Sequence, residues 1–318
     1  ATDACIIITA SNVNLDCKGF KVSGLRDGTG IRVKGNDNKI TNCVSEKNLY
    51  GVGYGFSVIG GNNSFTGNTA NNNFDGFGVF GSGNTFTGNT VNDNNNEGFY
   101  ITGSGNTFTG NTVNNNIRNG FMVDSSGNTF TGNTVNNNIE GGFTVGDSGN
   151  TFVGNVIQGN TRGIYYLWGK NVFEGNDISG NGGDNKIGEG NIVIRQDAAQ
   201  VKPTFKNNKV SDGCGLWQAS TNAQITLEGN NFCDSGTRTC ADGYKISCVG
   251  GGVVDGGRNV FFSGALSPSC GQLSGGNGCI SKGINRVAAA PGDGQQQPNY
   301  GDAWLPVFAL LGVLALGG

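Results

Sequence analysis

The chain has 318 residues, a formal net charge of −3 and a pI near 5.0. Only 14% of it is charged and no basic stripe stands out, so nucleic acid is a poor partner. The chain has no histidine, which removes Ser-His-Asp and Cys-His catalysis and every His-ligated metal; a single methionine, Met122, leaves little for copper.

Taken in chain order, the first residue is Ala1 rather than Met, which points to a removed signal peptide and a secreted setting. Residues 1–50 read as opening coils, because CIIIT, VNLDC, FKV, IRV and KITNC are all strand-like. Cys5, Cys17 and Cys43 fall here, and Cys214, Cys233, Cys240, Cys248, Cys270 and Cys279 fall late. Nine cysteines favour an oxidising compartment, with disulfides stapling the less regular ends. The odd total leaves one thiol unpaired or bonded to another chain. No CxxC pair occurs among the late six, so disulfides outweigh zinc.

Residues 51–190 are a repeat. Phe65, Phe86, Phe108, Phe130, Phe152 and Phe173 recur at spacings of 21 or 22 residues, each inside a version of GNTFTGNTVNNN. Such a period signals a solenoid. Further apolar columns hold the same register: Phe56, Phe77, Phe99, Phe121, Phe143 and Ile164; Val58, Val79, Ile101, Val123, Val145 and Tyr166; Ala70, Val91, Val113, Val135, Ile157 and Ile178. Phe56 and Val58 stand two apart, the strand period. Each coil therefore reads as three short strands, GF-G-V, NTFT and NTV, separated by turn residues. The column Gly55, Gly76, Gly98, Gly120, Gly142 and Gly163 implies either positive φ or close approach between coils. Asn68, Asn89, Asn111, Asn133, Asn155 and Asn176 stand at a bend and can bond one another as a ladder. The expected fold is all-β, a parallel β-helix with three strands per coil of about 22 residues and about ten to eleven coils. The composition disfavours a helical solenoid, because Gly and Asn are poor helix formers.

Residues 191–287 are irregular, cysteine-bearing coils, as in FKNNKV, ITLEGNNFC and NVFFSG. Residues 288–302 have linker composition. Residues 303–318, AWLPVFALLGVLALGG, are apolar throughout. Sixteen residues as a helix fall short of a bilayer core of roughly 30 Å. The tail therefore reads as a short membrane anchor, as an assembly element inserted into a neighbour, or as a segment folded back on its own rod. Its apolar residues are Trp304, Leu305, Val307, Phe308, Leu310, Leu311, Val313, Leu314 and Leu316.

The segments CIIITASNVNLDCKGFKVSG and GIRVKGNDNKITNCVSEKN, with the GNTFTGNTVNNN series, resemble archaeal-type secreted right-handed β-helix repeat proteins. That broad family includes a copper-maturation protein of nitrous-oxide reductase and carbohydrate-binding and sugar-hydrolase repeat domains. The resemblance covers most of residues 5–285 and rests on core and turn positions. It implies right-handed coiling and a secreted, often cell-surface, setting.

Enzymes on this fold usually act on polysaccharides. Polygalacturonase-like members use clustered aspartates, a histidine and Arg-x-Lys, of which only Arg32-Val33-Lys34 is present. Lyase-like members hold calcium on carboxylates. Two residues before the Phe77 column the rungs read Asp75, Glu97, Asn119, Gly141 and Arg162; one position earlier they read Phe74, Asn96, Arg118, Glu140 and Thr161. Asp75 and Glu97 are the calcium candidates, against a solvated salt-bridge patch in which Arg118 lies near Glu97 and Glu140. The pairs Thr85/Thr87, Thr107/Thr109 and Thr129/Thr131 flank inward phenylalanines and form a short outward array, which raises ice binding as a minor reading. Asn62, in Asn62-Asn63-Ser64, is a glycosylation candidate.

The leading expectation is a non-enzymatic extracellular structural protein with no cofactor, assembling head to tail with itself or anchored to a membrane through its tail. The alternative is a polysaccharide-binding or polysaccharide-degrading β-helix protein.

Overall fold

The computed structural model describes residues 4–260 apart from 24–27, 49–52, 166–167, 183–188, 195–200, 219–222, 233–245 and 249–251. The chain divides into Ala1–Arg286 and Val287–Gly318, and the second unit, with the apolar tail, lies outside the described residues. So do Cys233, Cys240, Cys270, Cys279 and the side chain of Cys248.

Among the described residues every element is a strand, and no helix is long and apolar enough to cross a membrane. The strands form three parallel sheets. The first has 11 strands, from Ala4–Ile8 to Ile246–Cys248; the second has 11, from Asn14–Asp16 to Gly252–Asp255; the third has 9, from Lys21–Ser23 to Lys209–Ser211. As far as Leu216–Gln218 and Gln224–Glu228, successive strands of a sheet stand three elements apart in the chain, so the chain visits each sheet once per turn. Asp75–Val79, Thr85–Thr87 and Thr90–Asn92 make one such turn, matching the GF-G-V, NTFT and NTV segments. Among the described residues complete three-strand turns number nine, fewer than the expected ten or eleven, because the third sheet has 9 strands and the other two have 11.

Two phenylalanine columns fill the interior. Phe77 stacks on Phe99 at 4.9 Å and Phe86 on Phe108 at 4.8 Å. The columns meet edge to face, as for Phe86 and Phe99 at 5.7 Å and 78°. All four rings are fully buried. Burying each stabilises the turn by about 2–3 kcal/mol, and the offset and edge geometries add to this.

The asparagine ladder is real, and it is one of three fully buried ones among the described residues. Asn111 Oδ1 accepts from the Asn89 backbone N–H and from Asn89 Nδ2, both at 2.9 Å; its own Nδ2 donates to the Phe86 carbonyl at 3.0 Å and to Asn133 Oδ1 at 2.9 Å. Parallel ladders run through Asn84, Asn106 and Asn128, and through Asn94, Asn116 and Asn138. These amides satisfy buried backbone groups at the three bends, where the sheet hydrogen bonds lapse.

The glycine column is explained by close approach. Gly76 and Gly98 lack positive φ, but a Cβ on Gly76 would meet Val91 and the Gly98 carbonyl. Positive φ belongs to other corner residues, such as Gly88 (φ 60°) and Asn115 (φ 57°).

Cys17 and Cys43 form a disulfide with a Cα–Cα distance of 4.7 Å. The Cys43 N–H donates to Asn68 Oδ1, which puts Cys43 one rung before the first amide of that ladder. A covalent bond thus ties the opening turns where asparagines tie the later ones. Cys214 is also disulfide-bonded. Cys5, one of the disulfide candidates, is instead a free, exposed thiol on the first strand, as the odd total allows.

Candidate functional site

The outer face of the first sheet carries the chemistry. Its outward column runs Arg32, Ser57, Gly78, Tyr100, Met122 and Thr144, aligned rung to rung by the sheet register. A second column, Tyr54, Asp75, Glu97 and Asn119, joins it. The glycine after Tyr54, Asp75 or Asn119 faces the core, where a Cβ on Gly55, Gly76 or Gly120 would meet Ala70, Val91 or Val135, so the residue before it lies over the outer face. Tyr54 shows this directly, because a Cβ on Gly78 would stand 2.6 Å from its ring. Thr144 of the outward column donates its Oγ1 hydrogen to Asn119 Oδ1 at 2.7 Å.

Asp75 and Glu97 are the centre. They stand on adjacent rungs, 4% and 5% exposed. Asp75 Oδ1 accepts from the Glu97 N–H at 2.9 Å and from Asn96 Nδ2 at 2.8 Å. Glu97 Oε2 accepts from the Asn119 N–H at 2.9 Å. The carboxylates therefore act as outward rungs of a ladder, doing for the backbone what Asn does inside. This corrects the solvated-patch expectation, which holds only for Arg118 and Glu140, 3.9 Å apart and both well exposed.

Burial sets the electrostatics. Loss of hydration pushes Glu97 up to about 7, with the neighbouring Asp75 adding to the rise and the Asn119 N–H and Arg118 opposing it. Asp75 is raised by the same burial, against the Glu97 N–H, Asn96 and Arg118. Burial, and then Asp75, raise the Tyr54 phenol; burial, Asp124, Asp75 and Glu97 raise the Tyr100 phenol. Both tyrosines stay protonated donors at neutral pH. A carboxyl poised near 7 can donate or accept a proton there.

Aromatic rings flank the pair. Tyr54 packs edge-on against Phe80 at 5.6 Å, and Phe80 against Tyr100 at 6.3 Å. Phe80 is 37% exposed, an apolar surface beside the carboxylates. Arg162 further along lies 4.1 Å over the Tyr165 ring.

Calcium does not fit this arrangement. It takes six to eight oxygens, whereas two carboxylates stand here, each already accepting hydrogen bonds. No group of three or more His, Cys, Asp or Glu that could hold a metal occurs among the described residues. The threonine pairs do lie in register on the second sheet, Thr85 and Thr87 against Thr107 and Thr109. Asn62 is exposed at a turn with φ 56°. Trp304, Leu305, Val307, Phe308, Leu310, Leu311, Val313, Leu314 and Leu316 lie outside the described residues.

Comparison with known proteins places the fold. The A-module of the Azotobacter vinelandii mannuronan C-5 epimerase AlgE6 is 18% identical, with a TM-score of 0.56, covering 74% of this chain and 72% of that one. A pectate lyase, Pel9A, is 18% identical over 87% of this chain and 73% of its own, with a TM-score of 0.48. The enzymatically active domain of bacteriophage CBA120 tailspike protein 2 is 10% identical over 81% and 42%, with a TM-score of 0.45. At these identities the likeness is one of fold. No curated protein matches the sequence. The non-enzymatic expectation is corrected nonetheless: a solved structure that shares this fold is an epimerase module by its title, and the coils that read as bland carry a buried carboxylate pair, with Glu97 raised to about 7. Residues 29–182 match the family described as right handed beta helix region, and the described turns have that parallel β-helix fold.

Proposed function

We propose that the outer face of the first sheet binds a polysaccharide strand and acts on it by proton transfer, with Glu97 as the group that moves the proton. The carrying observation is the buried Glu97 carboxyl, raised to about 7 beside Asp75 and flanked by the Tyr54, Phe80 and Tyr100 rings. Perturbed titratable groups among convergent polar and aromatic side chains favour an active site over a purely structural ladder. Aromatic rings offer flat apolar surface to sugar rings, and a solenoid face presents such surface along a line, which suits a polymer. The fold likeness to a mannuronan C-5 epimerase module supports the same reading, since that scaffold holds a polysaccharide-active site.

Within the reading, Asp75 keeps Glu97 protonated longer by its proximity, and the Asn119 N–H holds the Glu97 carboxyl in place. Tyr54 and Tyr100, held as phenols, supply hydroxyl donors to sugar oxygens. Proton transfer from a positioned side chain contributes typically 10²–10⁴-fold in rate, roughly the loss expected for Glu97→Gln. The test is turnover of a panel of polysaccharides, followed by reducing ends, unsaturated products and epimer content. The expected result is activity on at least one glycan that Glu97→Gln removes without loss of circular dichroism. Neither turnover nor binding on any glycan, or full activity in Glu97→Gln, overturns the proposal.

A further inference from the structure

Taking the glycan-binding reading of the first-sheet face as its basis, we infer that this face selects an uncharged glycan, one whose sugars present hydroxyls rather than carboxylates or sulfates. The distribution of charge carries the inference. From Gly53 to Asp147 the chain holds a single Lys or Arg, Arg118. Over the same turns the face carries Asp75 and Glu97 at its centre, Asp124 and Asp147 at the corner toward the second sheet, and Glu140 on the opposite side. Arg118 is already engaged, 3.9 Å from Glu140.

Of the cations that bracket the stretch, Arg32 and Arg162 are placed on neighbours, while Lys34 and Lys47 are exposed at corners. Arg32 Nη2 lies 3.4 Å from Thr29 Oγ1, and the Arg162 guanidinium sits over the Tyr165 ring. Lys34 is exposed at the corner of the Arg32 turn, two turns before Asp75. A polymer carrying one negative charge per sugar, laid over Tyr54, Phe80 and Tyr100, would bring several anions beside at least four carboxylates with one paired guanidinium to meet them. Like charges a few ångströms apart repel strongly near a poorly hydrated surface. An uncharged sugar meets no such penalty. Its apolar face lies on the rings, and its hydroxyls donate to Asp75 and Glu97 and accept from the two phenols.

The experiment is binding of fluorescent oligosaccharides at pH 8 and low salt, where the carboxylates are ionised and screening is weak. The uncharged probes are cello-, manno-, xylo- and galacto-oligosaccharides; the acidic probes are oligogalacturonate and oligomannuronate of equal length. The expected result is that the best uncharged probe binds at least about tenfold more tightly than either acidic one. The double variant Asp75→Asn with Glu97→Gln keeps both ladder acceptors and should narrow that gap to about threefold. Asp124→Asn, at an exposed position, should narrow it in part and guards against a folding defect in the double variant. Acidic probes binding as tightly as uncharged ones, or a gap unchanged in every variant, overturn the inference while leaving glycan binding in place. Failure of both probe classes overturns the glycan reading itself.

Discussion

Glu97 makes stability fall as pH rises, and the size of the fall follows from its burial. Its carboxyl goes from an ordinary 4.5 to about 7 in the folded chain. The rise of about 2.5 units, at 1.36 kcal/mol each, amounts to about 3 kcal/mol. The sign is that of a raised acid. The folded state holds the proton more tightly than the unfolded chain does. The stabilisation is fully present below pH 4.5 and is lost as pH climbs through 7. Asp75, also raised by burial, adds the same sign. Glu97→Gln isolates the Glu97 share, because its amide oxygen can still accept the Asn119 N–H. Urea midpoints from pH 4.5 to 8, with hydrogen exchange at the Asn119 amide as a local reading, measure the effect. The wild type should lose up to about 3 kcal/mol across that range relative to Glu97→Gln. A wild-type midpoint that rises with pH, or a variant that tracks the wild type throughout, refutes the reasoning.

Other outcomes follow from the ladders, the core and the bends. Asn111→Ala removes an amide oxygen that accepts two hydrogen bonds and an amide nitrogen that donates two, all in a buried site, and should destabilise the solenoid by at least about 3 kcal/mol, read as a shift in thermal midpoint. Phe108→Ala removes one ring from the middle of a stack and should cost about 3–5 kcal/mol by urea denaturation; a loss below 1 kcal/mol would mean the turn collapses onto the gap. Gly78→Ala places a methyl 2.6 Å from the Tyr54 ring, so glycan affinity should drop while the far-ultraviolet spectrum stays that of the parent. Reduction of Cys17–Cys43, which closes a 26-residue separation, should lower stability by about 3 kcal/mol, with protection lost first in the opening turns.

Much of the molecule was legible in the sequence, and for a physical reason. A repeat of about 22 residues puts the same side chain at the same place in every turn, so a column in the sequence is a column in space. Phe77, Phe99 and Phe121, or Asn89, Asn111 and Asn133, could be read as stack and ladder because identical neighbours leave one arrangement. The disulfide pairing was beyond sequence, since nine cysteines allow many partners; only the fold set Cys17 beside Cys43 and left Cys5 alone.

The site shows where sequence stopped. Column alignment found Asp75 and Glu97 but assigned them to solvent, because spacing says which rungs adjoin and not how a strand bends between them. Tertiary structure decided that Gly76 and Gly98 face the core, against Val91 and Val113, while Asp75 and Glu97 ahead of them lie buried over the outer face. Tyr54, Phe80 and Tyr100 were missed because they occupy three different columns that otherwise vary. Their only sequence signal was an aromatic residue breaking a bland column on three successive rungs. Sequence determined the repeat, the core and the stacking direction, which depend on side chains meeting copies of themselves. The structure alone decided which unlike side chains meet, and there the carboxyl near 7 and its rings arise from contacts between different columns.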